Sequence, residues 1–568
     1  MLLIPQPKTV ERRGGFLNTT SLACMSEIED ARIQSALNKL PLASDGAAFI
    51  IHITGENGEG YAMDITEESV TVTAKSARGA FYAIQTLRQL FAQSEIPCVH
   101  IEDEPDFAYR CYYHDITRGK IPTVETFKKL IDLLAYYKIN ALQVYSEHVF
   151  DFFEFQGVTA RTGCLTRAEI KEIEDYCYNH FIEFSPSIAT FGHLYELLQQ
   201  DAYKKYCMLR DYEPKESFWY ERVNHHTIDP LNPESFAIIK SILDQTVFAF
   251  KSNIINIGGD ETFDLVTGRY EHLDTGRLYV DFMKKIINYL LGLGKTVMMW
   301  PDILAKHPEL AGEIPEEVIL IPYGYGRYPD RDVINVSRAA ASNHRILVAP
   351  STNSWCRLIE DTVHGEKSMT HMTELGAQYG ALGVLNTNWG DWGHPCSIEM
   401  HTYGIVYGAE RSWNAQTLPD QEFAKRVDKL VYGYDGAVSL IKKVSALATD
   451  TCYWDFGKYY SNTVYNGHLA VNIPDEEATR RVQAECLALL KAVEEQRWQQ
   501  EEYREELLLS IEGIAIMAEL FSKFGGYPIA RKTDTVSWLK RYREKWVSKN
   551  KESELAEIEK MFLYLDRL

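Results

Sequence analysis

From about residue 106 the chain alternates short apolar runs with longer stretches whose apolar residues recur every three or four positions. The runs fall at 110–116, 140–146, 182–188, 254–260, 295–300, 318–323, 345–350 and 381–388. Helix-like stretches separate them, among them 123–138, 166–180, 233–250 and 272–291. Strands that alternate with helices pair in parallel through right-handed crossovers. Eight such units predict an α/β fold, a (β/α)8 TIM barrel over residues 106–425.

The flanking segments are patterned differently. Residues 1–105 carry β-type runs, A-A-F-I-I-H-I-T at 47–54 and S-V-T-V-T-A at 69–74, and a helical stretch R-G-A-F-Y-A-I-Q-T-L-R-Q-L-F at 78–91. In that stretch Ala80, Ile84, Leu87 and Phe91 recur at spacings of four and three, which predicts a small α+β domain whose helix lays one face on a sheet. Over residues 426–568 the strand pattern gives way to long charged helices, and Val482, Cys486, Leu490 and Val493 share one face within 476–521. A helical region packed on the barrel is expected, with a homodimer interface as the other use of such a face.

Composition changes the picture mainly by exclusion. A net charge of −21 without any Lys/Arg-rich run repels polyphosphates, so nucleic acid is not an expected partner. No segment approaches the roughly 18 uninterrupted apolar residues of a membrane span, so no membrane partner is expected either. The opening M-L-L-I-P-Q-P-K has neither a basic start nor a long apolar stretch, which makes the cytoplasm the expected compartment. Ten cysteines lie scattered singly from Cys24 to Cys486, as suits reduced thiols better than bridges or zinc. A metal-dependent barrel hydrolase would need a histidine and carboxylate cluster on several strand ends. Strand one offers only His114-Asp115, and His225-His226 precede a helix, so no metal or organic cofactor is expected. Aromatic residues make up 12% of the chain, and aromatic faces grip the C–H faces of sugars.

The candidate chemistry lies in N-I-I-N-I-G-G-D-E-T, from Asn253 to Thr262. Catalytic groups in such barrels sit at the C-terminal ends of strands, where the fourth run places Asp260 and Glu261. Gly258 and Gly259 permit unusual torsions and close approach just before the pair. A solvated surface turn would carry the same letters, so the neighbouring strand ends have to decide.

N-I-G-G-D-E-T resembles the H-x-G-G-D-E signature of the β-N-acetylhexosaminidases of glycoside hydrolase family 20, and the likeness extends over roughly residues 1–415. Arg110, Asp115 and Arg118 in Y-R-C-Y-Y-H-D-I-T-R match that family's first-strand spacing, and T-F-G-H at 190–193 matches its T-P-G-H. L-N-P at 231–233, M-W-P-D at 299–302 and N-W-G-D at 388–391 resemble its later motifs in the right order. The 78–91 helix, followed by I-E-D-E-P-D-F-A-Y-R, resembles its small N-terminal domain.

The resemblance implies a retaining exo-glycosidase that uses no protein nucleophile: the sugar's 2-acetamido oxygen attacks the anomeric carbon and forms an oxazolinium-like ring. Asp260 would hold the acetamido N–H, and Glu261 would protonate the leaving oxygen and later deprotonate water. Arg118 and Asp391 would bind sugar hydroxyls, Trp300 and Trp389 would wall the pocket, and His193 would lie behind Glu261. Arg110 fits a structural ion pair better. The implied partner is an oligosaccharide or glycoconjugate ending in N-acetylhexosamine.

Three positions depart from the family pattern. Its His before I-G-G-D-E is Asn256 here, and its D-D pair after strand two is replaced by Y-S-E-H-V-F, which leaves Glu147 or nothing to back His193. Its tyrosine after strand seven is missing from A-P-S-T-N-S-W at 349–355, leaving Asn353, Trp355 or Tyr323 to meet the acetamido oxygen. The competing expectation is a carbohydrate-binding protein that keeps the barrel without catalysis.

Overall fold

A computed structural model of the chain describes every residue except Phe153, Ala160, Arg161, Asp211, Thr267, Gln416, Thr417, Leu418 and Asp420. Six strands, β1 (Thr9–Phe16), β2 (Leu22–Cys24), β3 (Ala47–Ile53), β4 (Tyr61–Ile65), β5 (Ser69–Ala74) and β6 (Pro97–Asp103), form one sheet in the order β1-β6-β4-β5-β3-β2. The helix Ala77–Phe91, capped by the Ser76 side chain, lies against it. Ala80, Ile84 and Leu87 are buried as the spacing predicts, but so are Phe81, Tyr82, Gln85 and Thr86 on other faces. The barrel side explains that second burial, because Gln89 donates to the carbonyl of Tyr136 at 3.3 Å and Arg88 stacks over the Tyr136 ring.

Eight parallel strands close the barrel in sequence order: β7 (Tyr109–Asp115), β8 (Ala141–Ser146), β9 (Glu183–Ile188), β10 (Ile254–Asn256), β11 (Thr296–Met299), β12 (Ile319–Leu320), β13 (Arg345–Val348) and β14 (Gly383–Asn388), with β14 beside β7. Every run read as a strand is one. Inward-facing residues alternate along the strands, as the pleat requires. Cys111 and Tyr113, Ala141 and Tyr145, Met298 and Trp300, and Leu347 and Ala349 supply alternate positions of one apolar cluster that fills the barrel. The fourth run was expected to reach residue 260, yet β10 ends at Asn256. The ladder nonetheless carries on, since Ile257 donates to Met298 and Trp300 to Gly258.

Beyond the barrel come helices Ala437–Asp450, Tyr453–Tyr465, Glu476–Glu494, Glu501–Phe524, Thr535–Lys549 and Leu555–Arg567. Residues 476–521 thus lie in two helices that pack on each other. Val482, Cys486 and Val493 are buried there, while Leu489 takes the inward place expected of Leu490. These helices sit on the barrel through buried polar contacts: Trp219 and Arg222 donate to Glu554 at 2.7 and 2.6 Å, and Tyr542 to the carbonyl of Pro395 at 2.9 Å. No helix among the described residues is long and apolar enough to cross a membrane. All ten cysteines are unpaired, seven of them buried.

The small sheet is bolted to the barrel by a buried charge pair. Lys138 donates to Asp103 at 2.7 Å, and Tyr61 and Trp413 donate to the same carboxylate at 2.8 Å each. Arg110 does similar work, reaching Glu59 at 2.6 Å and the carbonyl of Lys138 at 3.0 Å. Removing one partner leaves the other charge buried, which is costly. Lys138→Met is expected to destabilise the protein by about 3 kcal/mol in urea unfolding; unchanged stability would contradict the bolt.

Candidate active site

The glycines explain how two acidic neighbours come to stand at the end of a buried strand. Gly258 and Gly259 adopt φ of +66° and +87°, and Glu261 follows at +49°. A Cβ on Gly259 would lie 2.7 Å from Met283 Cε and 3.0 Å from the Tyr279 hydroxyl, which donates to the Gly259 carbonyl at 2.8 Å. The chain therefore turns sharply against a packed helix and delivers both carboxyls to the barrel mouth. Asn256, in place of the family's histidine, supports the turn from below by accepting from the Gly258 N–H at 3.1 Å. The T-F-G-H loop closes from the side, where a Cβ on Gly192 would meet the Asp260 carbonyl at 2.7 Å.

Asp260 and Glu261 line a cavity of about 270 Å³ together with Arg118, Trp300, Tyr323, Trp355, Trp389 and Asp391. Eight of the ten residues expected from sequence thus share one pocket. Trp300 and Trp389 stand 5.8 Å apart with Tyr113 packed between them on the barrel side, and form its inner wall. His193, the ninth, lies beneath the acidic pair, with Nε2 at 3.4 Å from Asp260 and 3.6 Å from Glu261.

Asn353 is the exception. It does not line the cavity; its side-chain amide donates to the carbonyl of Ser351 at 3.2 Å, and its backbone carbonyl accepts from Asp361. The residue is buried at φ +55° and shapes the turn after β13. Asparagine tolerates that left-handed conformation.

Arg118 organises the polar side. Its Nε donates to Glu147 at 3.1 Å, Nη1 to Asp391 at 2.9 Å and Nη2 to His193 Nδ1 at 3.3 Å. Glu147 thus binds Arg118, and the guanidinium meets the face of His193 that the family backs with a carboxylate. Asp115 fixes the loop itself, accepting from the Thr117 and Arg118 N–H groups and from Gly390 across the barrel. A guanidinium only donates, so His193 Nδ1 accepts and Nε2 carries a proton towards the two carboxylates. Burial works against a second proton there, but Asp260 favours it and lifts His193 to about 9. That proton on Nδ1 would point at Arg118; the feature common to both states is the Nε2–H.

The two carboxyls are pushed apart. Burial opposes the Asp260 charge, yet His193 outweighs it and holds the carboxyl below its ordinary value. Glu261 is raised, first by burial, and Asp260 adds to the rise against His193. One neighbour is thus kept ionised and the other biased towards its protonated form.

His193, Asp260 and Glu261 also offer atoms within 4.8 Å of one another, a spacing that a cation could use. Their chemistry fits poorly, because the histidine atom facing the carboxylates is the one bearing the proton.

Sequence reasoning overlooked several contributors. Tyr325 lines the cavity and accepts from Trp389 Nε1 at 2.9 Å, and the Y-G-Y spacing from Tyr323 could have revealed it. Trp392 lies two residues past the N-W-G-D motif's glycine, and Trp454 comes from the helical region, where nothing in the pattern points to a pocket. Asp302, in M-W-P-D, accepts from the Glu261 N–H at 3.3 Å, and burial beside Asp260 and Glu261 pushes its carboxyl up to about 7.

Against known proteins, residues 1–104 match the profile of glycosyl hydrolase family 20, domain 2, and residues 107–374 match glycosyl hydrolase family 20, catalytic domain. The chain belongs to glycosyl hydrolase family 20. It is 28% identical over 284 residues to a beta-hexosaminidase of Porphyromonas gingivalis, covering 43% of this chain and 36% of that one. A beta-N-acetylhexosaminidase of Cellulomonas fimi is 24% identical over 383 residues, 64% of this chain and 70% of that one. The chain spans less than half the length of the Porphyromonas relative and of a beta-hexosaminidase from Akkermansia muciniphila. In fold, it resembles the beta-N-acetylhexosaminidase of Bacteroides fragilis, with a TM-score of 0.60 and 20% identity over 76% of this chain and 95% of that one. A Streptomyces plicatus beta-hexosaminidase mutant in complex with GlcNAc is similar at a TM-score of 0.61 and 21% identity, over 75% and 94% of the two chains. The barrel and its small sheet are thus a family 20 architecture.

Proposed function

We propose that this family 20 protein is a retaining, exo-acting β-N-acetylhexosaminidase that releases terminal β-linked N-acetylglucosamine or N-acetylgalactosamine by substrate-assisted catalysis. The observation that carries the reading is the placement of Asp260 and Glu261, whose carboxylate oxygens lie within 4.8 Å of each other in a small, aromatic-walled cavity. Where a second carboxyl is the nucleophile or activates water, it faces the acid from across the sugar ring, so the side of approach rather than the separation tells the two cases apart. Consecutive residues leaving one strand approach from the same side, so the nucleophile falls to the substrate's own acetamido group. At about 270 Å³ the cavity lies just below the ~300–1,000 Å³ range of small-molecule sites, room for one sugar and hence for exo cleavage.

In this mechanism ionised Asp260 accepts from the acetamido N–H, turns the amide oxygen towards C1 and offsets the positive charge of the forming ring. Protonated Glu261 donates to the glycosidic oxygen as the C1–O bond breaks and the acetamido oxygen bonds to C1. Glu261, now a carboxylate, takes a proton from water, whose oxygen bonds to C1 and reopens the ring with retention. Of the replacements for the missing tyrosine, Tyr323 is a hydroxyl donor that lines the cavity, and we give it the contact with the acetamido oxygen. Arg118 and Asp391, already paired, present a donor and an acceptor to the sugar hydroxyls.

Hydrolysis of chromogenic β-N-acetylglucosaminide, β-N-acetylgalactosaminide and β-glucoside tests the reading. Only the acetamido sugars should be cleaved, with kcat falling about 10²-fold or more in Glu261→Gln; equal cleavage of the glucoside would overturn it, and binding without any cleavage would favour a carbohydrate-binding protein. The rate needs Asp260 ionised and Glu261 protonated, so the acid limb of the pH profile belongs to Asp260 and the alkaline limb to Glu261. Because His193 lowers both carboxyls, His193→Gln is expected to move both limbs to higher pH; limbs that stay put would contradict the assigned coupling.

A further inference from the structure

Trp454 lines the same cavity as Asp260 and Glu261, although it sits at the start of the helix Tyr453–Tyr465, outside the barrel. Its exposure sets it apart from the other indoles: 41%, against 1% for Trp300 and 7% for Trp389. The ring is held in place. Lys458, one turn along the helix, puts its ammonium 4.4 Å from the ring centroid and is itself 3.5 Å from Asp455. The helix is seated on Trp392, the residue after Asp391, and a Cβ at Gly457 would strike that indole at 2.5 Å. Only glycine allows so close an approach, so the position of Trp454 is geared to the loop that carries Asp391.

We propose that Trp454 is the stacking platform for the second sugar, the one on the leaving side of the scissile bond. This rests on the hexosaminidase reading above. The cavity has room for one sugar among Trp300 and Trp389, so whatever that sugar is attached to must emerge at the rim. Glu261, assigned to the leaving oxygen, is the more open carboxyl, with 37% of its side chain exposed against 15% for Asp260. The leaving group therefore departs towards the mouth, where Trp454 stands. Lys458 occupies one face of the indole, which leaves the other for the C–H face of a pyranose. The favoured substrate class is accordingly a β-linked oligosaccharide with a sugar aglycone, and the C-terminal helical region takes part in choosing it.

The test compares kcat/KM for N,N′-diacetylchitobiose with that for N-acetylglucosaminyl fluoride, whose leaving group is too small to reach the platform. In Trp454→Ala the disaccharide-to-fluoride ratio is expected to fall about tenfold, the size of one lost stacking contact, while Trp454→Phe should keep the ratio close to wild type. Equal losses on both substrates would make Trp454 a structural residue and overturn the proposal, as would an unchanged ratio. If wild type cleaves neither these compounds nor their N-acetylgalactosaminyl counterparts, the hexosaminidase reading itself fails.

Discussion

One buried guanidinium sets the terms for the whole site. Arg118 is 7% exposed and stands among Glu147, Asp391, His193 and Asp115, with the Tyr145 and Trp389 rings about its plane. A charge so enclosed is tolerable only with every direction answered. Answering it brings together the ends of β7 and β8 and the loops after β9 and β14. The same contacts turn the Nε2–H of His193 towards Asp260 and Glu261; the histidine lowers both carboxyls, holding Asp260 below its ordinary value, while burial and the Asp260 charge keep Glu261 above its own. Fold and chemistry meet in that one side chain.

The barrel was legible because its signal is repeated. Each buried parallel strand is a short apolar run between helical periods, and a rhythm sustained over eight units survives small errors at element ends. Asp260 and Glu261 were legible for a different reason: the rhythm put a Gly-Gly and paired carboxylates at the end of a strand, and the motifs at the neighbouring strand ends decided against a solvated turn. Where one strand was read as too long, the cause was the pair of positive-φ glycines that bends the chain away from the ladder while its hydrogen bonds continue to Gly258.

What stayed hidden depends on contacts between distant segments. Asn353 looked like a substrate ligand because its place in sequence was right, but a left-handed turn rotates its amide to Ser351. Glu147 was expected to stand behind His193 or nowhere, and instead binds the guanidinium that fills that place. Trp454 belongs to a helical region whose charged periodicity speaks only of packing. The two-sided burial of the helix Ala77–Phe91 was equally silent, since one of its faces is amphipathic by spacing and the other is covered only because Tyr136 and its neighbours arrive from the barrel.

The claim on which the rest hangs is that the substrate, not the protein, supplies the nucleophile. It is tested most directly by a series of aryl glycosides whose 2-acetamido group carries none, one, two or three fluorines, which drain the amide oxygen of electron density with little change in size. The account predicts that log kcat/KM falls steeply and steadily with each fluorine. A flat series would mean that the amide oxygen does not attack, and would contradict the roles given to Asp260 and Glu261.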